Sequence, residues 1–176
     1  MSTRATVYSL LVLFVILSTY TSHLLWFQVQ WRMIPHMLLI MSIALIGENL
    51  VSSKGYYHYT RQDPNGPFVR NTPVWIVFLW VFCIQASLLI PLALGFGALS
   101  SILTSGLIAS SIDFYFFEPY MSRRRKLWLW NSVDSGYFGF IPSRLNRFTA
   151  PPGNYITWLV FPILANSFLA LLCILP

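Results

Sequence analysis

The chain has 176 residues, of which 56% are hydrophobic and only 9% charged, and its formal net charge is +6. A soluble domain carries about 25% charged residues, so the charged side chains here are too few to cover a water-facing surface. These figures exclude a soluble globular domain, a disordered chain and a DNA-binding domain, although the pI is about 9.6.

A helix that crosses a bilayer needs roughly 20 apolar residues, and the chain offers about five such runs. The expected fold is an all-α, polytopic membrane helix bundle in a single transmembrane domain, residues 1–176. The first run, residues 7–27, follows Arg4 and is too long for a signal-peptide core. It also lacks a small-residue cleavage site, so it reads as a retained helix. The second covers residues 33–51. The apolar stretch from Val74 to Phe117 is too long for one crossing, and Gly95-Phe96-Gly97 divides it into spans 74–94 and 97–117. The fifth span is 155–175, preceded by Pro151-Pro152-Gly153.

With five crossings, the N-terminus, the 52–73 loop and the 118–154 loop share one side. Arg4, Lys54, Arg61, Arg70, Arg123, Arg124, Arg125, Lys126, Arg144 and Arg147 fall there, and only Arg32 falls opposite. Basic loops face the cytoplasm, so the expected N-terminus is cytoplasmic and the location is the cytoplasmic membrane. The Arg123–Lys126 cluster reads as a topological lock on anionic headgroups. In the first loop, Asp63-Pro64-Asn65-Gly66 is turn chemistry. Tyr56, Tyr57, His58 and Tyr59 lie just before it. The second loop carries Trp128, Trp130, Tyr137, Phe138 and Phe140, aromatics suited to the headgroup level.

The five acids are Glu48, Asp63, Asp113, Glu118 and Asp134. Glu48 and Asp113 fall near the cytoplasmic ends of the second and fourth spans. Ionisable groups at such depths are costly and face the bundle interior. Gly97, Ser101, Ser105 and Ala109 form a small-residue stripe with Asp113 as its next position, which places Asp113 on the packed face of its helix. A polar pocket walled by aromatics is therefore expected near the cytoplasmic interface. A desolvated carboxyl there is suited to general acid catalysis on an apolar substrate.

Cys83 and Cys173 lie in apolar runs without a CxxC, and the histidines His23, His36 and His58 show no metal-ligand spacing. Neither a disulfide nor a metal site is expected. No phosphate-binding loop or nucleophile elbow is present. Nucleic acid is excluded as a partner.

Gly47-Glu48, Gly55-Tyr56-Tyr57-His58-Tyr59-Thr60, Pro73 and Trp80 resemble the second-helix and loop signature of the carotenoid biosynthesis membrane proteins. That family includes the carotenoid 1,2-hydratases and the bisanhydrobacterioruberin hydratase. Asp113, Glu118-Pro119, Trp128-Leu129-Trp130, Gly136-Tyr137-Phe138-Gly139, Pro142, Asn146 and Trp158 are similar to its second signature. The resemblance covers about residues 44–160 and describes a shortened form. The Asp113–Glu118 gap is one residue longer than in the family pattern, and the stretch 144–154 is expanded. The resemblance implies addition of water to a terminal isoprenoid double bond through a tertiary carbocation. It implies Asp113 or Glu118 as the acid and Glu48 as the group that orients water or stabilises the cation. Substrate contacts would come from Tyr56, Tyr57, His58, Tyr59, Trp128, Trp130, Tyr137 and Asn146. Such chemistry needs no organic cofactor. The implied partners are membrane lipids and an isoprenoid or carotenoid substrate.

The alternative is a non-catalytic accessory subunit whose partners are other integral membrane subunits. An enzyme of this kind encloses a cavity where Glu48 and Asp113 meet. A subunit would tie those acids into ion pairs, for example with Arg70 or Arg144.

Overall fold

The computed structural model describes residues 8–131, 137–142, 144 and 146–174. Arg4, Asp134, Gly136 and the last residue of the fifth expected span lie outside the described residues. Four helical segments there are long and apolar enough to cross a membrane: Ser9–Ser53, Val74–Ala93, Ala98–Arg124 and Pro152–Ile174. The first is two helices, α1 (Ser9–Val29) and α2 (Met33–Ser53), joined by a 3₁₀ turn at Gln30–Arg32. Gln30 takes a left-handed φ of 52° at this break. The chain reverses there, because the Ser22 hydroxyl reaches the Met37 sulfur at 3.7 Å. The others are α3 (Val74–Ala93), α4 (Ala98–Ile112) and α5 (Pro152–Ile174). The architecture is the all-α, multi-pass bundle expected.

Helix α3 is apolar on every side, and a helix of that kind belongs in the interior. It packs against α1, α2 and α4, while α5 packs against α4 and α2. Trp75, Val81, Cys83 and Ile84 of α3 are completely buried. Phe14 of α1 stacks on Trp75, with ring centroids 5.5 Å apart. Gln85 accepts from the Thr21 and Ser22 hydroxyls of α1 at 2.8 and 2.9 Å. Outward faces carry large apolar side chains such as Ile16, Ile46, Leu107 and Leu164. Such surface suits lipid and not water.

The turn at Gly95 is as the sequence predicts, and a second at Gly55 obeys the same rule. Gly55 and Gly95 have φ of 76° and 83°, a region that penalises a side chain. The amide of Gly55 bonds Ser52 O at 3.0 Å and that of Tyr56 bonds Val51 O at 3.4 Å; Gly95 and Phe96 repeat this pattern after α3. These paired bonds satisfy the free carbonyls of the helix end and reverse the chain.

At the loop end of the bundle, four short strands appear that the apolar pattern does not predict. Strand β1 (Tyr57–Tyr59) pairs antiparallel with β4 (Trp128–Trp130), in the register Tyr57↔Trp130 and Tyr59↔Trp128. A short hairpin, β2 (Phe68–Val69) with β3 (Thr72–Pro73), lies between β1 and α3. Asn65, fully buried in the Asp63–Asn65 turn, ties this end together. Its amide donates to Thr60 O and Leu127 O at 2.7 Å each, and its oxygen accepts from Trp75 Nε1. At the opposite end, Arg32 donates to Leu172 O at 2.8 Å, where a cation satisfies the free carbonyls of the α5 terminus.

Candidate functional site

Three acids from two helical segments line one cavity of about 50 Å³: Glu48, Asp113 and Glu118. Asp113 and Glu118 are buried, while Glu48 is half-buried. Their charges lie near enough to act on one another.

Glu48 sits near the end of α2. The Gly55 reversal sends the chain back beneath it, and strand alternation turns Tyr57 and Tyr59 inward. Glu48 Oε2 accepts from the hydroxyls of Tyr57 and Tyr59, the latter at 2.8 Å. Its Oε1 accepts from Trp80 Nε1 of α3 at 2.9 Å. Burial, with the Glu48 carboxyl beside it, holds the Tyr59 phenol well above its ordinary 10.0.

Asp113 and Glu118 depend on an unusual helix. Beyond Ile112 the chain continues as a π-helix, Asp113–Arg124. In an α-helix, residues five apart differ by roughly 140° around the axis. A π-helix closes its bonds five residues apart, which returns position i+5 to the face of position i. The buried set Asp113, Phe117, Glu118, Met121 and Ser122 follows that wider repeat. The five-residue spacing thus leaves both carboxyls on the cavity. Pro119, which has no N–H and disrupts α-helical bonding, lies within the wide turns.

The β4 strand turns Trp128 and Trp130 toward Glu118. Trp128 Nε1 donates to Glu118 Oε1 at 3.2 Å and Trp130 Nε1 to Oε2 at 2.9 Å. Asp113 Oδ2 accepts from Asn154 Nδ2 at 2.7 Å. Among the described residues Asp113 Oδ1 has no bonded partner. The donors to the three carboxyls among the described residues are neutral Tyr, Trp and Asn side chains, with the Ser122 and Thr149 hydroxyls also against Glu118. Trp158 of α5 completes the wall, its ring 5.0 Å from that of Trp80 and 6.0 Å from that of Phe117.

The cavity brings together Glu48, Tyr57, Tyr59, Asp113, Glu118, Trp128 and Trp130 of the expected site. Tyr56 lies on an adjoining groove. His58 is exposed, on the opposite strand face. Tyr137 donates to Asn131 O at 2.7 Å, and its phenol is raised by burial and by the charge of Glu118. Asn146 donates to Tyr137 O and accepts from Phe148 N, a loop-bracing role. Neither Tyr137 nor Asn146 lines the cavity.

Six residues of the cavity lie outside the expected site: Ile76, Leu79, Trp80, Phe117, Asn154 and Trp158. Trp80 and Trp158 stand in the signatures, without an assigned contact. Asn154 is in the expanded stretch before α5. The alternation Tyr57-His58-Tyr59 against Trp128-Leu129-Trp130 was the available signal: period-two aromatics mark short strands.

None of the family models, curated proteins or solved structures compared with the chain matches it.

Proposed function

We propose that the protein is a membrane-embedded hydratase that adds water to a terminal double bond of an isoprenoid or carotenoid chain by acid catalysis. The observation that carries this reading is the convergence of three carboxyls on one aromatic-walled cavity with only neutral donors around them among the described residues. Asp113 is the preferred acid, because among the described residues nothing bonds its Oδ1, which can carry and deliver a proton. The proton goes to the CH carbon of the terminal double bond and leaves a tertiary cation on its dimethyl carbon. The faces of Trp80, Trp158 and Phe117 stabilise that cation by cation–π attraction. Glu118, whose two oxygens accept from indoles that can only donate, supplies negative charge nearby. A water beside Glu48 attacks the cation and loses a proton, which restores Asp113. Atoms and charge balance without a cofactor.

The accessory-subunit reading calls for ion pairs at these acids. The neutral donors around Glu48 and Asp113 support the enzyme instead. In this proposal the acid end faces the cytoplasm, as the basic loops require.

The test is hydration of linear isoprenoids by the purified protein in H₂¹⁸O, read by mass spectrometry. The label is expected in a tertiary alcohol. Asp113→Asn should lower the rate by about 10²–10⁴-fold, the usual worth of a general acid. Unchanged hydration in Asp113→Asn, Glu118→Gln and Glu48→Gln, or no hydration at all, would overturn the proposal.

A further inference from the structure

The carboxyl cavity does not end at the protein interior. It adjoins a groove of about 560 Å³ on the flank of the bundle, between α2 and α5. Ile43, Gly47 and Val51 of α2 form one wall, and Thr157 and Phe161 of α5 form the other. Ile43 and Val51 are each 38% exposed on the outer face. From Ile43 to Val51 the helix rises about 12 Å, so the groove runs along the helix.

Five residues line both spaces: Glu48, Tyr57, Trp80, Trp130 and Asn154. They form a threshold, and Glu48 is the only one of the three acids on it. Asp113 and Glu118 border the inner cavity alone. The two spaces differ in kind. The groove falls within the roughly 300–1,000 Å³ typical of small-molecule sites. The inner cavity of about 50 Å³ has room for a few waters at about 10–15 Å³ each or for the end of a chain, and not for its length. Two glycines keep the groove open. A Cβ added at Gly47 or at Gly153, on the facing first turn of α5, would meet nothing within 4 Å.

We infer that the groove between α2 and α5 is a lateral binding site for an extended, unbranched-backbone apolar chain drawn from the bilayer, which passes only its terminal double bond across the Glu48 threshold toward Asp113. The inference rests on the hydratase reading for what happens to that end, and on geometry for where the chain lies. The apolar body stays in the groove, and only its end enters the space where Asp113 and a water beside Glu48 can meet it. The narrow inner cavity restricts reaction to the chain terminus.

Photolabelling of the full chain in nanodiscs tests the inference. One arm uses a linear isoprenoid alcohol bearing a diazirine, and the other a phosphatidylcholine with a diazirine in its acyl chain. The isoprenoid probe is expected to label peptides covering residues 43–51 and 151–161. Gly47→Leu and Gly153→Leu should each reduce that labelling about tenfold, a change of about 1.4 kcal/mol in binding. Leu107→Trp, on the exposed face of α4, should leave it unchanged. Two fillers on separate helices protect the test against misfolding of either. Labelling that survives both fillers overturns the inference, as does stronger labelling of the same peptides by the phospholipid. Hydration assays on the same samples separate the two claims. Labelling that the fillers block, without any hydration, leaves the groove and removes the hydratase. Hydration that persists in both filled variants removes the groove and leaves the hydratase.

Discussion

Asp113 and Glu118 are chemically alike but bonded differently, and substitution should separate them. Glu118 has an indole donor on each oxygen. In Glu118→Gln an amide N–H must face an indole N–H, and a buried donor left without an acceptor costs about 1–3 kcal/mol. A lowered melting temperature is expected, with lost activity. Asp113→Asn has no such conflict, since its remaining oxygen can still accept from Asn154 while the new amide occupies the unbonded position. It should melt as the parent does and lose activity alone. Equal melting of the two variants would contradict this account. Tyr59 offers a pH test. Its folded pKa is raised above the ordinary 10.0, so the folded state keeps a proton that the unfolded chain releases. Stability is then fully present below about pH 10 and is lost as pH rises. Tyr59→Phe should lose less stability between neutral and alkaline pH than the parent, measured by thermal melts at each pH.

The element that matters most is the α4–π segment and its contact with α5. Lipid offers no hydrophobic drive between helices, so close packing and interhelical bonds hold them. Ser101, Ser105 and Ala109 of the small-residue stripe are fully buried, as the spacing predicts, whereas Gly97 is exposed. The closest approach comes one residue off the stripe. A Cβ at Gly106 would lie 2.1 Å from Leu159 O of α5, a backbone atom that cannot turn aside. Ser105 beside it accepts from Asn166 at 3.0 Å. Gly106→Ala should therefore force the helices apart and cost about 1–3 kcal/mol, the usual range for overpacking. Denaturation in detergent measures it, and a neutral effect would contradict the helix contact. The stripe was legible because four-residue spacing and small size show in one dimension. Gly106 was not, because its role depends on which backbone lies opposite.

For the whole molecule, the acids, both strands of the β1–β4 sheet and the basic loops gather at one end, and Arg32 and Leu172 mark the other. Cys173 is exposed near Leu172, while Cys83 is buried. The proposed orientation puts Cys173 outside. A membrane-impermeant maleimide added to intact cells should label Cys173 at once and leave Cys83 unmodified until the protein is denatured. Labelling of Cys173 only after the cells are opened would reverse the orientation.

The sequence alone was enough to establish a helical membrane bundle. The scarcity of charge, the length of the apolar runs and the glycine turn at 95 are local properties, and each acts through its own segment. The depth of Glu48 and Asp113 was legible for the same reason. The sequence did not show how five helices and two loops close around the acids. The β1–β4 pairing joins residues about seventy positions apart, and Asn154 meets Asp113 across 41 positions of the chain. The π-helix decided whether Asp113 and Glu118 share a face, since a five-residue gap separates them in an α-helix and unites them in the wider one. Those outcomes depend on which surfaces pack together, and only the tertiary structure determines that.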